Sequence, residues 1–277
     1  KSTKLLKMTE KNYIILGFTN ACVARLKKDK ENNNIYTFNR FLGNGESDDE
    51  SAFTISPKSY KKLLKFDNIF IDEYSLVPTY IWEILYYAKL KKPNLKFYVF
   101  GDSKQCSAVE NVRVNFKKTS LLKFICDNNL IKLQYIEASA RYDKELYNDI
   151  IYLLKNKKLP DSYKNRIIKD PLKSNIVLYN KLRKSINKKY EEPLKRVMCI
   201  KNSSKYQIWN SEIYDIEKIT TEGYKLAGIE NIIQKNYFEP VYAITVWKTQ
   251  GKTLEEDIKI YNNNMSLNQI YTAISRA

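Results

Sequence analysis

The chain has 277 residues, 43% of them hydrophobic, and a net charge of +17: enough for one large domain or two medium ones with a real core. The basic surplus suits a polyanionic partner, nucleic acid first, although a low-GC genome rich in Lys, Asn, Ile and Tyr codons would produce a similar charge. There is no His, and Cys22, Cys106, Cys126 and Cys199 form no CxxC pair, which speaks against a zinc site or a His-based triad and fits reduced thiols.

No apolar run is long enough to cross a bilayer, and no signal peptide opens the chain. An intracellular protein with no membrane partner is therefore expected, cytoplasmic or nuclear, with a viral origin left open. A start at Lys1 without Met is expected of a fragment.

Lys1-Ser2-Thr3 precedes a plausible helix start and has the form of the tail of a phosphate loop, in which Lys reaches phosphate oxygens and Ser binds Mg²⁺. Residues 13–17 read as a strand, followed by Thr19-Asn20 and a helix over 21–28. Residues 35–38 read as a short strand-like piece ending near 41. A polar loop follows over 43–51, then a short helix within 56–64 after Pro57.

The most informative stretch is 66–102. Ile69, Phe70 and Ile71 form an apolar run that ends abruptly in Asp72 and Glu73. Apolar residues recur at helical spacing over 80–90, and a second run, 97–100, ends at Gly101 and Asp102. Strand, helix, strand with acids at both carboxyl ends is the edge where open α/β sheets bind ligands. There Asp72 can hold Mg²⁺, and Glu73 can orient and deprotonate a water for attack on phosphate. The same pair also occurs simply as the start of a solvated loop.

Gln105, in the polar turn after Asp102, can bond a terminal phosphate or merely line a loop. Further on, a helix is predicted over 121–129, a strand over 132–136 and an amphipathic helix over 144–155. Residues 156–195 are basic and the least patterned, apart from a strand-like 175–179. Strands are predicted over 196–200 and 213–219, and a small β-rich section continues through 224–233. A buried strand over 241–246 ends in the turn Trp247-Lys248-Thr249-Gln250-Gly251-Lys252-Thr253. A strand over 258–261 and a helix over 267–277 carrying Arg276 close the chain.

KST, TN, TFNRFL, IFIDEYS, VFGDSKQ, ASARYD, YAITVWKTQGKT and YTAISRA stand in this order, and the ordered set resembles superfamily 1 helicases of the RecD/Pif-like branch, from the end of Walker A to motif VI. The resemblance implies an α/β fold of two RecA-like P-loop NTPase domains with mostly parallel sheets. These are residues 1–130, truncated at the amino end, and 131–277, with a small SH3-like β-rich insertion around 200–238. It implies an ATP-dependent DNA helicase or translocase using ATP and Mg²⁺ and moving on single-stranded DNA. A viral-type RNA helicase and a non-catalytic nucleic-acid-binding remnant stand as alternatives. Lys1 and Ser2 are then expected on the phosphates and Mg²⁺, Asp72 on the metal, and Glu73 on the water. Gln105, Gln250 and Gly251 are expected near the nucleotide, with Arg141 and Arg276 as arginine fingers. Thr19, Asn20, Thr37, Phe38, Thr245, Trp247, Lys248 and Thr249 are expected along the strand track. Trp247 replaces the usual His of its motif, and either stacks on a base or belongs to the core.

Overall fold

A computed structural model describes residues 12–29, 34–43, 57–108, 118–127, 143–165, 174–189, 194–203, 205–252, 254 and 257–276. The chain divides into two units: Lys1–Ser103 with Ser107–Leu133, and Lys104–Cys106 with Gln134–Ala277.

The first unit is built on four parallel strands, β1 (Tyr13–Gly17), β2 (Ile35–Thr37), β3 (Asn68–Ile71) and β4 (Lys96–Val99), in the spatial order β2-β1-β3-β4. Every residue of β3 is buried, as expected of a strand covered on both faces, whose sequence is then apolar without alternation. The pleat sends successive residues to opposite sides. Ile69 and Ile71 join one core with Ile14, Leu16, Trp82 and Leu85. Phe70 joins another with Ile15, Cys22, Leu26 and Ile35. Helix α1 (Asn20–Asp29) supplies Cys22 and Leu26 to the second layer.

Residues 38–41 differ from expectation. The strand stops at Thr37, whose hydroxyl accepts the Arg40 N–H at 3.2 Å and caps α2 (Phe38–Leu42). A local cap outweighs the β preference of the aromatic residues. A 3₁₀ turn (Pro57–Ser59) and α3 (Tyr60–Leu63) follow. Helix α4 (Thr79–Lys91) lies between β3 and β4 in the chain; it buries Ile81, Trp82, Ile84, Leu85 and Ala88. Helix α5 (Lys118–Ile125) begins earlier than its apolar spacing suggests. The strand expected over 132–136 and the expected boundary near 130 lie outside the described residues.

The second unit contains α6 (Lys144–Asn156), β5 (Ser174–Val177), α7 (Asn180–Lys189) and the strands β6 (Arg196–Cys199), β7 (Ile213–Ile219), β8 (Tyr224–Leu226), β9 (Ile232–Ile233), β10 (Phe238–Pro240), β11 (Ala243–Thr245) and β12 (Ile258–Ile260). Helix α8 (Leu267–Ile274) follows. Strands β11-β5-β12 form a parallel sheet with Ile176 of β5 opposite both Ile244 and Ile260. The others form an antiparallel sheet, β10-β6-β7-β8-β9, around Val197, Cys199, Ile208, Leu226, Ile233 and Phe238. Helix α8 starts with a capping box between Ser266 and Gln269.

Helix α7 falls in the stretch that sequence patterning leaves blank. Its buried residues are Arg183, Ile186 and Asn187, so its inward face is mostly polar. Asn187 Oδ1 accepts the N–H groups of Tyr242 at 2.9 Å and Ala243 at 2.7 Å, and Arg183 pairs with Glu239. The polar groups are satisfied by specific partners and leave no apolar stripe to read.

Candidate active site

Asp72 and Glu73 follow directly on β3, at the carboxyl end of the parallel sheet. They are not a solvated loop start: Asp72 is fully buried and Glu73 is 3% exposed. Backbone bonds hold the turn in place. The Asp72 N–H reaches Leu16 O at 3.0 Å, and the Tyr74 N–H reaches Phe100 O at 3.0 Å. Asp72 Oδ1 accepts the Glu73 N–H at 3.0 Å. Glu73 itself is left-handed, with φ 54° and ψ 47°, a conformation disfavoured for L-residues other than Gly, Asn and Asp. Gly101, after β4, is required by close approach: a Cβ there would lie 2.2 Å from the Tyr74 ring and 2.9 Å from its backbone N.

Sequence patterning alone misses Arg25. Its Nη2 lies 2.8 Å from Asp72 Oδ2 and 3.9 Å from Glu73 Oε1. The Cys22 thiol, one turn earlier on α1, lies 3.5 Å from the same Asp72 oxygen. Burial, and then the Asp72 carboxylate, pushes that thiol well above its ordinary pKa. Burial alone would lower the Arg25 pKa, but the facing Cys22, Asp72 and Glu73 outweigh it and raise it. A signal was available: positions 22, 25 and 26 share one helical face, and a cation beside Cys22 and Leu26 on a sheet-facing side needs an anion.

The carboxylates fit a divalent cation in chemistry, because Asp72 offers a hard oxygen where a positive group already sits at 2.8 Å. Among the described residues no three His, Cys, Asp or Glu side chains cluster to hold a metal. An ion at Asp72 would therefore need oxygen ligands from water or a bound phosphate, the usual manner for Mg²⁺.

A second group of expected site residues meets in the second unit. Gln250, 1% exposed, donates through Nε2 to Gln105 Oε1 at 3.4 Å and to Cys106 O at 3.3 Å. Cys106 N–H reaches Thr272 Oγ1 at 2.8 Å, and Asn268 Nδ2 reaches Gln105 O at 3.4 Å. Arg276, 2% exposed, donates Nε to Thr272 O at 3.1 Å, Nη1 to Lys252 O at 3.3 Å and Nη2 to Ser275 Oγ at 2.8 Å. Gly251 takes φ 81° beside them. Gln250 Oε1 is buried without a hydrogen-bond partner. Lys1, Ser2 and Arg141 lie outside the described residues.

The expected strand-track residues divide. Thr19 and Asn20, at the start of α1, are half-buried, and Thr19 Oγ1 accepts the Cys22 N–H at 3.1 Å. Thr37 and Thr245 are nearly buried, and Lys248 is half-buried. Phe38 and Thr249 are both fully buried. The Phe38 ring belongs to the core of the first unit, and the Thr249 hydroxyl is bonded to Val246 O at 2.7 Å. Trp247 packs against the cluster of Cys106, Ile176, Val246 and Ala273 while remaining half-buried, so the core claims much of its indole.

No helix among the described residues is long and apolar enough to cross a membrane. No protein-family model matches the sequence, and no curated protein matches it. Solved structures do. A Bacteroides Pif1 helicase in complex with ADP-AlF3 and single-stranded DNA is 18% identical, with a TM-score of 0.65 over 100% of this chain and 83% of that one. A Pif1 helicase from Candida albicans is 15% identical, with a TM-score of 0.65 over 99% of this chain and 84% of that one. Bacteroides Pif1 bound to single-stranded DNA gives 15% identity and a TM-score of 0.61 over 100% and 89%. The chain thus has, over its whole length, the mixed α/β fold with RecA-like parallel sheets in which its structural neighbours are Pif1 helicases.

Proposed function

We propose that the chain is the motor core of an ATP-dependent DNA helicase or translocase that couples ATP hydrolysis to movement on single-stranded DNA and to duplex unwinding. The observation that carries this reading is the buried Asp72–Glu73 pair at the end of the central parallel strand, in a turn fixed by backbone bonds and a close glycine. Solvated loop acids need none of this support. The likeness to Pif1 structures bound to single-stranded DNA and a nucleotide mimic favours DNA and ATP as the ligands.

Phosphoryl transfer to water is mostly positioning and charge stabilisation. Glu73 is the group that orients the water and takes its proton, from a left-handed backbone position in a buried turn. Asp72 would hold Mg²⁺, with Lys1 and Ser2 on the phosphates; the ion supplies charge neutralisation of the phosphate oxygens. Gln105 and Gln250 place amides around one backbone turn and are assigned to sensing the nucleotide. Arg276 and Arg141 are assigned to the charge that develops on the transferred group, a contribution of about 10³–10⁵ in rate for such arginines.

The test is ATPase of the full-length protein with and without single-stranded DNA, for the wild type and Glu73→Gln. Loss of a general base lowers the stimulated rate by about 10²–10⁴. A Glu73→Gln protein with an unchanged stimulated rate refutes the assignment.

A further inference from the structure

We propose that Arg25 is a positioning residue for the catalytic carboxylates, and that it ties them to the first turn of α1, so that a strand bound at Thr19 and Asn20 sets the aim of Glu73. This rests on the helicase reading above and adds the route by which the strand would stimulate hydrolysis.

One guanidinium nitrogen serves both acids: Nη2 is 2.8 Å from Asp72 Oδ2 and 3.9 Å from Glu73 Oε1. Both carboxylate side chains are at most 4% exposed, against 25% for Arg25. Helix α1 therefore enters the site with two groups one turn apart, because the Cys22 thiol also lies 3.5 Å from Asp72 Oδ2. From Asp72 the link continues, since its Oδ1 accepts the Glu73 N–H at 3.0 Å. Whatever rotates the Asp72 carboxylate also moves the hydrogen bond that holds the left-handed residue.

The Arg25 head is not placed for its own satisfaction. Its Nε is buried without a hydrogen-bond partner, although buried N–H groups are normally bonded. The head is drawn onto the acids through Nη2 while the buried Nε is left unbonded. Just before the same helix, Thr19 Oγ1 accepts the Cys22 N–H at 3.1 Å. A helix is stiff, and six residues at 1.5 Å each put Arg25 about 9 Å along the axis from Thr19. A small tilt or slide of α1 at its first turn is thus delivered to the guanidinium.

The experiment compares wild type, Arg25→Gln and Arg25→Lys in full-length protein. It measures ATPase turnover and KM with and without single-stranded DNA, and strand affinity by fluorescence anisotropy. Arg25→Gln is expected to lower stimulated turnover at least tenfold, with KM for ATP and Kd for the strand each within threefold of wild type. Arg25→Lys restores part of the stimulation, because an ammonium keeps the charge but lacks the rigid planar fork of the guanidinium. Wild-type stimulation in Arg25→Gln overturns the proposal. Should Arg25→Gln fail to fold by circular dichroism, a cycle of Thr19→Ala with Arg25→Lys decides. Losses smaller than the product of the two single effects support the link, and strictly multiplicative losses overturn it. A wild type that shows no strand-stimulated ATPase refutes the helicase reading itself, a result distinct from stimulation that ignores Arg25.

Discussion

Replacing Glu73 by Gly and by Ala separates the strain at this position from its chemistry. Both changes remove the carboxylate and the γ-methylene; they differ by one methyl group on a backbone at φ 54°, ψ 47°. The left-handed conformation costs an L-residue about 1–2 kcal/mol. Glycine escapes that cost but gives back about 0.4–1 kcal/mol through the greater freedom of its unfolded chain. The balance is about 0.5–1 kcal/mol in favour of Glu73→Gly, the opposite sign to a helix interior, where Ala is better than Gly by about 1 kcal/mol. Trp82, fully buried in the first unit with its indole N–H on Val77 O at 3.1 Å, reports locally once Trp209 and Trp247 are replaced by Phe. With a urea slope of about 2 kcal/mol per molar, the midpoint of Glu73→Gly should lie roughly 0.2–0.5 M above that of Glu73→Ala. Equal midpoints, or the reverse order, would mean that the turn is not left-handed and that Glu73 is not held by its backbone. Both proteins should lack stimulated ATPase.

Gly101→Ala inserts a methyl group 2.2 Å from the Tyr74 ring. Such overpacking costs about 1–3 kcal/mol, and the shift of Tyr74 should lower turnover more than nucleotide affinity, as measured by the stimulated ATPase against mant-ATP binding. Lys252 gives a pH dependence. Burial, with help from Lys248 and against Glu212, pulls its ammonium down from 10.5 to about 8, while Nζ donates to Ser211 O at 2.6 Å. Between these values the unfolded chain holds the proton more tightly than the folded one, so the Lys252 contribution to stability should rise as pH goes from 8 towards 10.5. The full span corresponds to about 3 kcal/mol at most. Urea titrations across that range should show wild type gaining on Lys252→Met as pH rises; the buried thiols of Cys22, Cys106, Cys126 and Cys199, whose pKa values burial raises, pull the other way equally in both proteins.

What was legible in the sequence was what apolar spacing carries. Ile69 to Ile71 buries on both faces and therefore reads as one run, and the acids after it mark the sheet edge. Helices α4 and α6 show their period because their buried positions are mostly apolar. What was hidden depends on partners far away in the chain. Arg25 meets Asp72 across 47 residues, and Gln250 meets Gln105 across 145. Helix α7 turns Arg183 and Asn187 inward against Glu239 and the strand residues 242 and 243, so no hydrophobic stripe announces it. The end of β2 was missed because one hydroxyl, that of Thr37, changes the backbone from strand to helix within a residue. Phe38, the first residue of that helix, belongs to the core of the first unit.

The turn after β3 gathers features that a fold selected for stability alone would avoid. A glutamate sits where glycine is easier, two acids are buried side by side, an arginine leaves a donor unbonded, and a glycine after β4 is pressed against a tyrosine ring. The left-handed glutamate, the paired buried acids and the unbonded donor are each unfavourable by themselves. They persist because the layers on either side of the sheet, Leu16, Ile69, Ile71 and Trp82 on one and Ile15, Cys22, Leu26 and Phe70 on the other, hold β1 and β3 so firmly that the turn has nowhere to relax. Strain of this kind concentrates where a side chain must point in one direction whatever its own preference. In the proposed motor Glu73 would line up a water with a phosphorus atom, and a turn already held by β3 would suit that task.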